Sequence, residues 1–456
     1  MSKSIVIAGI IIAIIVIGAA VILAGRGGKA TTTTTTTTTA SPTTTQTVAQ
    51  TQSPTTTQTT MRTQTKTAAG LQGRNAVCVV YDIGGRGDLG FNDMAYMGAS
   101  KAAKDFGLKL IQVQSTSEND YLPNLRTLAR SKKCVLIVAV GFLMTDAVKT
   151  VSKEFPHQLF AIVDGYVPNR PNVLSILFKE QEGSALAGAL AAMVAHYFGY
   201  KAVGVVLGME IPPLYKFEAG YYWGIRYGEK MYEEHTGKKI EPLRILYTYT
   251  GSFNDPAKGK QAAEAQLAQG AGVIYNVAGA TGLGIFDAVY EYATKQGKTM
   301  GPPFAIGVDS DQDWIKPGFI IASMMKRVDV GVYKATEKAL KYYKGEIKSF
   351  GGVMLLGLKE HGVGLSRLED LKTFLKLAVE EKKIKPSEEK EIYQKVKEMR
   401  EKIPKWIWDS VYGLADKLIN NPDISVYGIK WSQIEDFAKN PTAPGIQKIR
   451  KALKVG

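Results

Sequence analysis

Carboxylates recur in this chain directly after short apolar runs. Asp82 follows residues 76–81, Asp164 follows 159–163 and Asp309 follows 304–308, with Asp311 and Asp313 close behind. A carboxylate in such a place accepts hydrogen bonds from ligand hydroxyls, moves protons in hydrolysis, or caps a helix N-terminus. Asp82 opens a glycine-rich stretch, Gly84, Gly85, Gly87 and Gly90, which also holds Asp88, Phe91, Asn92 and Asp93. Carboxylates, an amide and an aromatic ring therefore crowd one loop. Gly85, Gly87 and Gly90 also fit the dinucleotide fingerprint G-x-G-x-x-G. Against that reading, the second apolar run ends in Ser115, Thr116 and Ser117 rather than an acid, and Asp82 and Asp88 would repel a pyrophosphate. A tight turn alone is the plainer alternative. The four histidines, His157, His196, His235 and His361, have no metal-ligand spacing to one another or to a cysteine, and no nucleophile elbow or Walker loop appears. No carboxylate pair is singled out for catalysis, and no metal or cofactor is expected.

The elements that position these residues alternate. Apolar strands read at 76–81, 108–114, 134–140, 159–163, 202–207, 273–277 and 304–308. Helices read at 94–106, 121–130, 145–154, 183–198, 219–234, 256–269 and 281–295. Such alternation predicts an α/β fold of doubly wound parallel sheets covered on both faces. Two runs, divided near 178–182, predict two lobes. Ligands of these sheets lie at the carboxyl ends of the strands, so acids after strands in both lobes would face one cleft.

Residues 5–24 are twenty uncharged apolar residues, long enough to cross a bilayer as a helix, and they predict an uncleaved anchor. Lys3 precedes this segment and Arg26 and Lys29 follow, so charge does not orient it. No cysteine stands near its end to carry a lipid. Residues 31–69 are mostly threonine, a composition that resembles glycosylated stalks outside cells and places the following head there. The net charge is +15 among 456 residues, but the basic runs after Lys326 interleave with acids at helical spacing, as on solvated faces. Nucleic acid is therefore not an expected partner. Cys78 and Cys134 fall near the starts of strands one and three, neighbours in a 2-1-3-4-5 sheet. Adjacent strands rarely give relaxed disulfide geometry, so two separate buried thiols are expected.

The stretch VYDIGGRGDLGFNDMAYMGASKAAKDFG resembles the opening of the basic membrane protein (BMP) family, solute-binding proteins of ABC importers that include purine-nucleoside receptors. FAIVDGYV, EGSALAGALAAMVA, VGVVLGMEIPPLYKFEAGYYWGI, YNVAGATGLGIFDAV, GVDSDQDW, MMKRVDVGVYKA and GGVMLLGLKEHGVGLS continue the resemblance over about residues 76–366. It implies a type I periplasmic-binding-protein-like fold, two lobes joined by three hinge crossings. Lobe 1 would be 75–178 with about 325–350, and lobe 2 179–324 with about 351–366. Before them lie the anchor (1–30) and the stalk (31–74), and after them a C-terminal helical extension (367–456). Carried over by position, Phe91 would stack on a base and Asn92 would hydrogen-bond it. Asp82, Asp164 and Asp309 would accept from the ribose or the base, Lys326 would hold the ribose side, and Phe217 and the turn from Gly279 would close the other wall. Gly90 stands where the family usually has Ser, and the NVAGATG turn brings no second aromatic. The implied protein is not an enzyme. It is a membrane-tethered extracytoplasmic receptor that binds a nucleoside and serves an ABC permease and ATPase. The alternatives are a sugar receptor or a nucleoside or sugar hydrolase on the same fold.

Overall fold

The computed structural model describes residues 71–456. The apolar segment 5–24 and the threonine-rich residues 31–69 lie outside the described residues. The stalk was expected to run to residue 74, yet Arg74 already folds onto the head, its guanidinium donating to the carbonyl of Cys134 at 2.8 Å.

The first lobe is built from β1 (Ala76–Tyr81), α1 (Phe91–Asp105), β2 (Lys109–Gln114), α2 (Tyr121–Ser131), β3 (Cys134–Val140), α3 (Thr145–Glu154), β4 (Phe160–Val163) and β5 (Val173–Phe178). The second follows with α4 (Glu180–Tyr197), β6 (Ala202–Leu207), α5 (Pro212–Thr236), β7 (Arg244–Tyr249), α6 (Pro256–Ala268), β8 (Ala271–Val277), α7 (Gly282–Thr294), β9 (Phe304–Asp309) and β10 (Ile320–Lys326). The chain then returns through α8 (Val328–Tyr343), β11 (Gly352–Leu356) and β12 (Val363–Leu365). Two six-stranded sheets result, in the orders β11-β5-β4-β3-β1-β2 and β12-β10-β9-β8-β6-β7. Each is a 2-1-3-4-5 doubly wound sheet with one further edge strand. Only β12 runs antiparallel to its neighbour in these sheets. Central strands such as β1, β3, β6 and β8 are buried at every residue, which is why their sequences are unbroken apolar runs.

The chain passes between the sheets three times, at Lys179, at Arg327 and at 357–362. The last passage corrects one boundary. Residues 352–356, expected in lobe 2, pair as β11 with β5 in the first sheet, and only β12 joins the second. Helix starts also differ from expectation. α1 begins at Phe91 rather than 94, its first turn capped by Asp88; α5 begins at Pro212 rather than 219, since proline in the first turn gives up only a donor that has no partner there.

α4 and α5 approach backbone to backbone. A Cβ added at Gly220 would come within 2.1 Å of the Gln181 carbonyl, and one at Gly224 within 2.2 Å of that of Ala185. Beyond β12 come α9 (Leu368–Glu380), α10 (Glu389–Glu401), α11 (Lys405–Asn420), the hairpin β13 (Ser425–Val426) and β14 (Ile429–Lys430), α12 (Trp431–Lys439) and α13 (Ala443–Ala452). The last part of this extension lies on α5, where Trp223 donates to the Ile429 carbonyl at 3.1 Å and packs on Trp431, while α11 packs on α4 and Arg400 of α10 donates to the Ile321 carbonyl of β10.

Cys78 and Cys134 form a disulfide, against the expectation of separate thiols. The β1–β3 register slips between Ala76 and Val77, so Cys134 sits opposite Ala76 while Ile137 sits opposite Cys78. The slip moves Cys134 one residue nearer and brings the Cα atoms to 5.7 Å, within bonding range.

Candidate functional site

Strand ends from both sheets converge on one cavity. Asp82, Phe91, Asn92 and Asp164 line it from the first lobe, and Phe217, Gly279, Asp309 and Lys326 from the second. All eight residues singled out in the sequence are thus brought together. Phe142 and Leu143 after β3, Phe253 after β7, and Ile211, Pro213 and Leu214 at the head of α5 also line it, as does Asp88 from the glycine loop. The second aromatic wall, absent from the turn at Gly279, comes from Phe253 instead. It lies against Gly208, where a Cβ would stand 2.3 Å from its ring.

The carboxylates divide by role. Asp88 accepts from the backbone N–H of Gly90, Asn92 and Asp93 and so caps the start of α1. Asp164 and Asp309 cap nothing, since no helix follows either of them directly. Both end the fourth core strand of their sheet in the left-handed region, at φ 66° and 67°. That conformation is uncommon outside glycine and, kept twice at matching positions, marks where the fold aims a short side chain. One oxygen of each, Oδ1, is buried without a hydrogen-bond partner among the described residues.

Asn92 lines the cavity and is also hydrogen-bonded within the loop. Its amide donates to Asp82 at 2.8 Å and to Asp88 at 3.1 Å, and its carbonyl accepts from the Asp82 N–H. Its amide thus links Asp82 to Asp88 and orients Asp82. Asp93, two residues after Phe91, holds the loop by accepting from Gly87 and Leu89 and pairing with Arg86.

Lys326 joins the lobes. Its ammonium lies 2.6 Å from Asp164 Oδ2 and 3.2 Å from Glu180 Oε1, with the rings of Phe91 and Phe217 about it at 5.0 and 5.4 Å. Glu180, at the first crossing, also pairs with Lys216. Burial alone would lower the Lys326 pKa, but the carboxylates of Asp164, Glu180 and Asp309 outweigh it and hold the ammonium charged. Burial pushes Asp82 up to about 6, although its hydrogen bond from Asn92 opposes the shift. Burial pushes Asp309 up to about 7 against the pull of Lys326. Asp164 is likewise raised by burial despite Lys326. The cavity therefore offers hydrogen-bond acceptors, one fixed cation and several flat apolar surfaces.

Sequence reasoning saw Phe142 at the end of a strand but gave no role to it, to Phe253 or to Glu180. Phe142 opens a short 3-10 turn after β3 and Phe253 lies in the loop after β7, and neither segment is long enough to show periodicity. Glu180 was legible only as an acid at the expected lobe boundary.

The lobes meet around the cavity. The Leu89 carbonyl accepts from Ser310 Oγ at 2.5 Å and from Gln312 Nε2 at 3.0 Å, and Arg86 reaches Glu381 beyond α9 at 3.1 Å.

Comparison with known proteins agrees with this architecture. Residues 75–402 match the Bmp family, described as ABC transporter substrate-binding protein PnrA-like. The match runs past 366, so α9 and α10 belong to it, while α11 to α13 lie beyond. An uncharacterized lipoprotein of Pyrococcus abyssi is 43% identical over 75% of this chain and 81% of its own. The ABC transporter nucleoside-binding protein BmpA of Lactococcus lactis is 29% identical over 63% of this chain and 80% of its own. A crystal structure of an ABC transporter solute-binding protein from Aeropyrum pernix superposes with a TM-score of 0.70 at 35% identity, covering 83% of this chain and 98% of that one. The chain belongs to the Bmp family of ABC transporter substrate-binding proteins.

Proposed function

We propose that the cavity binds a nucleoside, most favourably a purine one, and that closure of the lobes over it prepares delivery to a membrane permease driven by an ATPase. One observation carries this reading: the free, buried Oδ1 atoms of Asp164 and Asp309 share a cavity with four phenylalanines, Phe91, Phe142, Phe217 and Phe253. Vicinal ribose hydroxyls suit carboxylate acceptors. A bare sugar would leave much of the aromatic lining unused, whereas a base stacks on it. The carboxylates disfavour a phosphate in a desolvated site. Asp82, oriented by Asn92, supplies a third acceptor, and Lys326 holds the ribose side. The glycine at 279 lets the second-lobe turn approach the ligand. The crossings at Lys179, Arg327 and 357–362 act as the hinges. The name of the lactococcal relative supports the choice of nucleoside.

Calorimetry with adenosine, guanosine, inosine, their monophosphates and ribose tests the assignment. Nucleosides should bind well above the rest, and Phe91→Ala should weaken them about tenfold to a hundredfold. Equal binding of nucleoside and monophosphate would break the electrostatic argument. Ribose binding untouched by Phe91→Ala would make the protein a sugar receptor, and release of free base would make it a hydrolase.

We further propose that residues 5–24 anchor the head outside the membrane, as their uninterrupted apolar character supports. The full chain should then sediment with membranes through a high-salt wash, and recovery of a soluble, shortened chain would refute the anchor.

A further inference from the structure

We propose that Arg450, on the last helix of the chain, is a positioning residue for the cleft: through Glu218 it sets the two second-lobe phenylalanines, Phe217 and Phe253. The proposal rests on the ligand reading given above for that cleft.

Glu218 lies on α5 and is fully buried. Its neighbour in sequence, Phe217, lines the cavity, as do Pro213 and Leu214 one turn earlier. Arg450 meets Glu218 with both arms of its fork, Nε to Oε1 at 2.5 Å and Nη2 to Oε2 at 3.0 Å. Tyr249 donates its hydroxyl to the same Oε2 at 2.7 Å. Tyr249 is the last residue of β7, and the loop that follows it carries Phe253 into the cavity. One carboxylate thus joins the helix bearing Phe217, the strand bearing the Phe253 loop, and α13. The Arg450 guanidinium also stacks over Tyr247, 4.3 Å from its ring centre.

A lone carboxylate at this depth is strongly disfavoured, and its geometry is fixed by whichever cation answers it. Arginine fixes it in two directions because its fork is planar, which lysine cannot do. Arg450 is itself anchored independently of Glu218. The Arg226 side chain donates to the carbonyls of Leu453 and Lys454, each at 2.8 Å, and clamps the end of α13 to α5. Without Arg450, Glu218 must draw in water or swing out, and either response moves the start of α5 and the end of β7. α13 lies past residue 402, where the family match stops. This cleft is therefore held from behind by a segment outside that match.

The test uses the full chain in detergent, with Arg450→Met, Glu218→Gln, the double variant and Arg450→Lys. Folding of each is checked by near-UV circular dichroism. Binding of adenosine, guanosine and inosine is measured by calorimetry, and hydrogen exchange is followed in peptides spanning 211–218 and 249–254. Arg450→Met should weaken nucleoside binding about three- to thirtyfold and quicken exchange in both peptides. The double variant should recover most of the Glu218→Gln affinity, since no orphaned charge remains, and Arg450→Lys should fall between wild type and Arg450→Met. Unchanged affinity and exchange in Arg450→Met would overturn the proposal, as would a double variant no better than Arg450→Met. If Arg450→Met does not fold, the double variant and Arg450→Lys decide by the same two readouts. Should no nucleoside bind even the wild type, the ligand reading fails, and the exchange data alone still decide whether Arg450 holds the two segments.

Discussion

Asp309 shows how a carboxylate buried in the cavity lining burdens the ligand-free protein. Burial holds its carboxyl protonated up to about pH 7, whereas in the unfolded chain it ionises near 4. Below about pH 4 both states carry the proton and the residue contributes nothing to the pH dependence. As pH rises from about 4 to 7 the unfolded chain loses its proton first, so folding weakens, and above 7 the whole penalty stands. Asp309→Asn should therefore raise the melting temperature of the ligand-free protein at pH 8 and leave it nearly unchanged at pH 4. The same substitution should weaken nucleoside binding about tenfold or more, the scale of a hydrogen bond to a charged acceptor. Calorimetric melting at the two pH values checks the first part, and an equal shift at both would refute the assigned burial penalty. Asp309 was legible in the sequence because an acid ending an apolar strand has one obvious place in this fold. The commitment of Asn92 to Asp82 was not legible, because it depends on how the glycine loop doubles back onto the first helix turn. Phe253 was hidden for a similar reason: nothing in SFND distinguishes a loop that enters the cleft from one that stays outside.

At the scale of elements, α4 and α5 depend on glycine at every fourth position of α5. The 2.2 Å approach that a Gly224 Cβ would make is to backbone, which cannot move aside as a side chain could. Gly224→Ala should lose about 1–3 kcal/mol of stability through overpacking. Gly413 sits in the exposed middle of α11 with nothing within 4 Å of an added Cβ, so Gly413→Ala should gain about 0.5–1 kcal/mol. Denaturant unfolding of both variants measures the contrast, and similar effects at the two sites would contradict the close approach. Fully buried strands such as β3 and β6 were readable in the sequence since both faces demand apolar residues. β7 and β11 were not, because β7 is half exposed with the mixed sequence RILYTY and β11 lies at an edge. β5 and β10 were passed over although buried, because no helical pattern sets them apart from the strand before. The disulfide was missed because a one-residue slip in the β1–β3 register leaves no trace in either strand's composition.

For the whole molecule, the central question is which contacts belong to the closed arrangement. Three backbone passages would let the lobes rotate while the strand ends stay in line. Across the cleft, the polar links include Lys326 to Asp164, Arg86 to Glu381, and Ser310 and Gln312 to the Leu89 carbonyl. Lys326 and Asp164 also line the ligand cavity, so changing them confounds closure with recognition. Ser310 is cleaner, because its hydroxyl reaches Leu89 from the second lobe and is not among the residues lining the cavity. A bond made only when the lobes meet stabilises the closed complex without helping the ligand to enter the open one. Its loss should appear in the dissociation rate, where most differences between related complexes reside. From a net hydrogen-bond contribution of about 0.5–1.5 kcal/mol, Ser310→Ala should speed nucleoside release roughly two- to twelvefold. The association rate should stay within about a factor of two of wild type, given the narrow spread of that rate among related complexes. Stopped-flow measurements on the two proteins resolve both rates. A slower association with unchanged release would mean that the Ser310 bond is already made before the ligand arrives, and that closure is not the step it stabilises.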